Sequence, residues 1–151
     1  MKRSDRMKTV QRAVEDAERR RAEALAASER RVAETESRLA ELQNYQVTYA
    51  REFATRARFG MGGAGLRDYQ TFMARLAEAV RQQTQIVYRA RAERDAELER
   101  WRNAASRAKA VGGVVKRWQG EEQRALDRRE QNESDERSQR ARHGGLNARS
   151  L

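Results

Sequence analysis

A sevenfold repeat, mostly small or apolar but with several polar and charged members that weaken it, runs on both sides of the glycine cluster at residues 60–65, and it leaves few folds open. Before the cluster, Leu25, Val32, Leu39, Gln46 and Phe53 form one series, and Ser28, Thr35, Leu42 and Tyr49 form a companion offset by three. Alternating steps of three and four describe the a/d seam of a coiled coil, where one face of a helix meets a partner helix. Upstream, Met7, Val10, Val14 and Ala17 keep the alternation, and the step from Arg21 to Leu25 reads as a stutter. After the cluster, Tyr69, Leu76, Gln83, Ala90, Glu97, Ala104, Val111 and Trp118 are spaced by seven. Met73, Val80, Val87, Arg94, Trp101, Ala108 and Val115 form the second series.

The chain has no proline, and residues 4–58 contain no glycine, so nothing interrupts a helix there. Ser4 is a candidate helix N-cap. Gly112 and Gly113 lie inside the second repeat, where each costs about 1 kcal/mol against alanine, so a kink or soft spot is expected. The predicted fold is all-α: a long antiparallel two-helix coiled coil, a helical hairpin with its glycine-rich turn at 60–65. The first helix covers about 4–58, the turn 59–65 and the second helix about 66–135, with Asp68 in its first turn. The hairpin domain spans 1–140, and a disordered basic and polar tail begins at 136 and ends at 151.

Gly60-Met61-Gly62-Gly63-Ala64-Gly65 matches the G-x-G-x-x-G string that cradles a dinucleotide pyrophosphate. That chemistry needs a strand before the loop and a βαβ unit around it. The preceding residues are a charged helical pattern, and no β-branched run of strand length occurs. The glycines therefore read as a turn, since they end helices and permit tight reversals. With residue 62 or 63 as apex, Phe53 would face Phe72, Tyr49 would face Leu76 and Tyr45 would face Val80. Trp101 would lie near Ala24, and Trp118 near Met7.

Composition removes several function classes. Charged residues make up 37% of the 151, and the net charge is +10, carried almost wholly by arginine. That balance favours acidic partners without choosing among them. With no cysteine there is neither a disulfide framework nor a thiolate metal site, which fits a reducing compartment. The N-terminus lacks an apolar signal core, and no window approaches a membrane span. The single histidine, His143, has no company for catalysis or metal binding. No catalytic set or cofactor site is evident, so the chain reads as a non-enzyme without cofactors in the cytoplasm. No dedicated basic region or nucleic-acid motif is present, so nucleic acid is not an expected partner.

Near the turn there are more apolar residues than two helices can share. Phe72, Leu76 and Ala79 continue to Gln83 as a stripe beside the seam, and Leu42, Tyr45 and Tyr49 crowd one face of the first helix. Two readings fit, and both can hold: a thicker hydrophobic knot that closes the turn end, and a docking patch, since exposed aromatic patches often mark interfaces.

The segments LQNYQVTYAREF (42–53) and YQTFMARLAEAV (69–80) resemble the flagellar export protein family FliJ, as do the size, the tryptophan in the second helix and the basic tail. The resemblance covers roughly residues 5–140. It implies a component of the flagellar type III export apparatus, cytoplasmic and peripheral to the inner membrane at the flagellar base. The implied partners are the export ATPase hexamer, the export gate membrane protein FlhA and the export chaperones; contact with the membrane is indirect, through the gate. Phe72, Leu76 and Ala79 match the family's gate-binding stripe, with Tyr45 and Tyr49 beside it, and Gln83 departs from it. The ring-binding end would involve Arg3, Arg6, Met7, Val10, Val115 and Trp118. The alternatives are the stalk of a virulence type III secretion system and a basic coiled-coil nucleic-acid binder.

Overall fold

The computed structural model describes residues 1–149, with side-chain surroundings through residue 145. Two helices, α1 (Arg3–Arg58) and α2 (Gly63–Arg149), form a hairpin, and the described residues contain no strand. The chain divides into two compact units. A turn unit spans Glu18–Ala104, and a terminal unit joins Met1–Ala17 to the segment from Ala105 onward.

The sevenfold repeat predicts the buried face closely. In α2, every position assigned to the seam from Tyr69 to Trp118 is buried or half-buried. Val87 and Ala90 are buried in the turn unit, as are Ala108 and Val115 in the terminal unit. In α1, Ser28, Val32 and Leu42 are buried on the matching face, whereas Val10 and Tyr49, expected in the same seam, are exposed. Ser28 and Thr35 fit because their hydroxyls donate to the carbonyls of Leu25 and Val32, at 2.7 and 3.0 Å. A hydroxyl so engaged enters a seam without an unpaired polar atom.

Two interhelical ion pairs flank the seam of the turn unit: Arg31 Nη1 to Glu93 Oε2 at 2.7 Å, and Arg91 Nη2 to Glu36 Oε1 at 2.9 Å. All four side chains are about half exposed, so these pairs add little stability. They do favour the antiparallel pairing over alternatives that oppose like charges.

The turn departs from expectation in its centre. α1 closes with the amides of Phe59 and Gly60 donating to the carbonyls of Arg56 and Ala57, at 3.1 and 3.3 Å. Gly60 takes φ +90°, a left-handed conformation that a side chain would strain. The return helix begins at Gly63, three residues earlier than expected, and Leu66 N donates to Gly62 O at 3.1 Å. The residues between the two helices are thus 59–62, and the pairing of Arg31 with Glu93 keeps the register expected for an apex at residue 62 or 63. Asp68 lies beyond the first turn of α2, which holds no acid.

Ser4 is not the cap of α1. The amides of Asp5 and Arg6 both donate to Lys2 O, which places the helix start before Ser4. Gly112 and Gly113 produce no break, since α2 is helical throughout. Nothing lies within 4 Å of a Cβ placed on Gly113, so no neighbour demands a glycine there. The cost of the pair is one of helix propensity.

α2 also continues past residue 135, through Arg149, where a disordered tail was expected. Residues 126–145 are exposed throughout. No proline interrupts this stretch, and none of the residues between Gly120 and Gly144 is a glycine, so the helix persists where its packing has ended. Residues 150–151 of the expected tail lie outside the described residues.

Candidate functional site: an aromatic surface and a clamped terminus

In the turn unit, aromatic side chains from both helices meet. Phe53 stacks on Tyr69 with ring centroids 3.7 Å apart and planes 11° from parallel. Phe72 meets Tyr49 edge-on at 4.8 Å, and Tyr49 lies 6.4 Å from Tyr45. Both interhelical partners differ from expectation: Phe53 pairs with Tyr69 rather than Phe72, and Tyr49 with Phe72 rather than Leu76. Next to the turn, these partners are thus offset by three and four positions from expectation, whereas Arg31 with Glu93, farther along the same unit, keeps the expected register. A cavity of about 340 Å³ lies among these rings, lined by Tyr49, Phe53, Tyr69 and Phe72, with Met61 from the turn.

The candidate docking residues do not all share this surface. Tyr45, Tyr49 and Phe72 are exposed, and Phe72 retains 43% of its area. Ala79 is half-buried. Leu76 is buried in the seam, so it supports the surface from beneath. Gln83 also turns inward, where its Nε2 donates to Thr35 O at 3.0 Å. Ile86, which the sequence reading passed over, keeps 42% of its area exposed. The signal for it was present, because Ile86 stands seven residues after Ala79 and fourteen after Phe72.

In the terminal unit, the Arg3 guanidinium carbon lies 4.2 Å above the Trp118 ring centroid, a cation–π geometry, and Arg3 Nη2 also meets Glu121 Oε2 at 2.7 Å. Glu122 then grips the start of α1. Its Oε1 accepts the Ser4 amide at 3.1 Å, and its Oε2 accepts the Ser4 hydroxyl at 2.5 Å. This carboxylate from α2 satisfies one of the amides that a helix N-terminus leaves without an intrahelical partner. Its charge also suits the positive end of the helix dipole.

Of the candidate ring-facing residues, Arg6 and Val10 are exposed, Met7 and Trp118 are half-buried, and Val115 is buried. Val115 therefore packs the seam. Lys8 Nζ lies 3.5 Å from Asp5 Oδ1, so part of the basic charge at this end is already paired. Glu121 and Glu122 were missed because their partners lie 118 positions away and only the hairpin brings them together.

The Ser4 hydroxyl bond holds the Glu122 carboxyl below its ordinary value, with burial opposing, the Ser4 amide assisting and the charges of Lys2 and Asp5 contributing less. A depressed value means that the clamp stabilises the fold fully above the ordinary glutamate pKa of about 4.3 and loses that contribution as pH falls through the lower folded value. In an NMR titration the Ser4 amide resonance is expected to shift with a midpoint below that ordinary value, and Glu122→Gln should abolish the shift. A midpoint at or above the ordinary value would contradict the clamp.

Among the described residues, no helix is long and apolar enough to cross a membrane. Comparison with protein-family models gives one described as Flagellar FliJ protein, which matches residues 2–146. Comparison with the curated proteins and with the solved structures gives no match.

Proposed function

This chain belongs to the flagellar FliJ family and is a component of the flagellar export apparatus, and we propose that it works there as a stalk-like partner of the export ATPase ring that also docks on the export gate. The family match across nearly the whole chain carries this reading. Two features of the molecule support it.

At the terminal unit, Trp118 under Arg3 gives a broad apolar ring capped by a cation, with exposed Val10 and Arg6 in the same unit. Arginine and tryptophan are the side chains most enriched where partner binding energy concentrates. In the turn unit, Tyr45, Tyr49 and Phe72 present their rings to solvent side by side. A chain that buried these only for its own stability would not leave this much aromatic area wet. The terminal unit would engage the ATPase ring, and the turn unit would engage the gate membrane protein FlhA and the export chaperones. One chain holding both partners could link nucleotide hydrolysis to gate opening. The +10 charge would speed encounter with acidic surfaces.

The test is ATP hydrolysis by the cognate flagellar export ATPase, measured with and without this protein. Stimulation is expected, and Trp118→Ala should weaken it. Val10→Asp, at an exposed site, probes the same unit with less disturbance of the seam and should weaken it too. If the wild-type protein neither stimulates hydrolysis nor co-elutes with the ATPase, the ring part of the proposal is lost.

A further inference from the structure

The exposed stripe on α2 does not end where the aromatic cluster ends. Phe72, Ala79 and Ile86 are spaced by seven, so they fall along one face of the helix, drifting about 20° per step. Phe72 and Ile86 keep 43% and 42% of their area exposed, and the small side chain of Ala79 lies between them. The next residue in this series is Glu93, which is tied to Arg31 of α1 at 2.7 Å. Intramolecular pairing thus occupies the series at Glu93 and leaves it open from Phe72 to Ile86, about 21 Å of helix.

The borders of the stripe differ in chemistry. On one side lie the seam and, at the Phe72 end, the rings of Tyr49 and Tyr45 from α1. On the other side, three residues after each stripe position, stand Arg75, Gln82 and Arg89, all exposed. No hydrogen bond or ion pair engages Arg75 or Arg89 among the described residues, whereas Glu78 is held by Arg81. Asp68 precedes this arginine border at the turn end.

We infer that the Phe72–Ala79–Ile86 stripe is a third coiled-coil seam, and that its occupant is an amphipathic helix of the partner with acidic residues along the edge that meets Arg75 and Arg89. The inference rests on the proposed docking of the turn unit on the export gate, and it adds the shape and charge of what docks. A sevenfold apolar series is the pattern that receives a helix, because only a helix returns a side chain to the same line at that interval. A strand or extended peptide would repeat every second residue and would leave the positions between Phe72 and Ala79 without a match. The small Ala79 between two larger side chains forms a shallow notch for a knob from the incoming helix. Arginines without partners, about 21 Å apart, suit acids two heptads apart on that helix. Ile86 is then a contact residue, and Gln83, with its amide on Thr35 O, is not.

The test uses the full-length protein and the cytoplasmic part of the cognate export-gate membrane protein as the probe, with affinity measured by calorimetry. Phe72→Ala and Ile86→Ala are each expected to weaken binding about tenfold, as for truncation of an apolar anchor. Arg75→Glu with Arg89→Glu should weaken it by a similar factor and reverse its loss with added salt. Tyr88→Ala, on the opposite face and 66% exposed, should leave it unchanged. Hydrogen exchange on the probe should protect one helical segment of about four turns. If Phe72→Ala weakens binding while Ile86→Ala and the arginine pair do not, or if the protected segment is not helical, the helix inference is overturned and gate docking stands. If the wild-type protein does not bind, or Phe72→Ala has no effect, the docking reading falls and the inference with it.

Discussion

Val87→Asp is expected to unfold the turn unit at room temperature, with most of its helical circular dichroism signal lost. Val87 is 3% exposed and sits in the seam between α1 and α2. An aspartate there would bury a charge with no partner, at a cost of about 3–5 kcal/mol. The seam has little in reserve, because serine, threonine, glutamine and alanine fill many of its positions. A helix of this kind draws its stability from packing, so losing the seam loses the helix. The neighbouring Tyr88→Asp is the matched control. Tyr88 is 66% exposed, and a surface change should stay within about 0.5 kcal/mol. Equal effects from the two substitutions would mean that Val87 does not face α1.

Glu97→Leu is expected to act in the opposite direction. Glu97 stands at a seam position of α2, where its Oε1 accepts from Arg100 Nη1 at 2.6 Å. Its Oε2 is shut away from solvent and has no hydrogen-bond partner among the described residues. Beside it lies a cavity of about 440 Å³, lined by small residues, Ala24, Ala27, Ser28 and Ala96, and by Arg31 and Arg100. An unsatisfied buried acceptor costs about 1–3 kcal/mol, and leucine would remove it while adding apolar area to the seam. The urea midpoint should rise by the equivalent of about 2 kcal/mol, with an unchanged slope. A polar seam residue also disfavours wrong registers, so the variant should show more self-association in light scattering. A lower midpoint for a monomeric Glu97→Leu would mean that Oε2 is satisfied in solution.

The seam was legible in the sequence because burial in a two-helix hairpin depends on one periodicity, which Leu25 to Phe53 and Tyr69 to Trp118 display openly. Details that depend on both helices at once were not. The pairing of Phe53 with Tyr69 depends on how residues 59–62 carry the chain from one helix to the other, which the pattern of neither helix alone contains. The series also carried too little information to separate support from surface. Leu76 and Val115 were read as contact residues and are buried, while Ile86 was passed over and is exposed. Ser4 looked like a cap because serine caps helices, yet its hydroxyl serves a carboxylate that only the folded chain brings near.

The grip of Glu122 on Ser4 has a consequence for synthesis on the ribosome. The two residues are made 118 positions apart. At the usual pace of about 5–20 residues per second, Ser4 waits about 6–24 seconds for Glu122 to be translated. Phe53 and Tyr69 are separated by a short loop and can meet almost as soon as both leave the exit tunnel. The nascent chain therefore pairs from the turn outward, and the start of α1 is among the last parts to be secured. Through that interval α1 carries an uncovered seam, and the alanines, serines and threonines that make the seam weak also make the waiting chain a poor target for aggregation and for chaperones that seek long apolar runs.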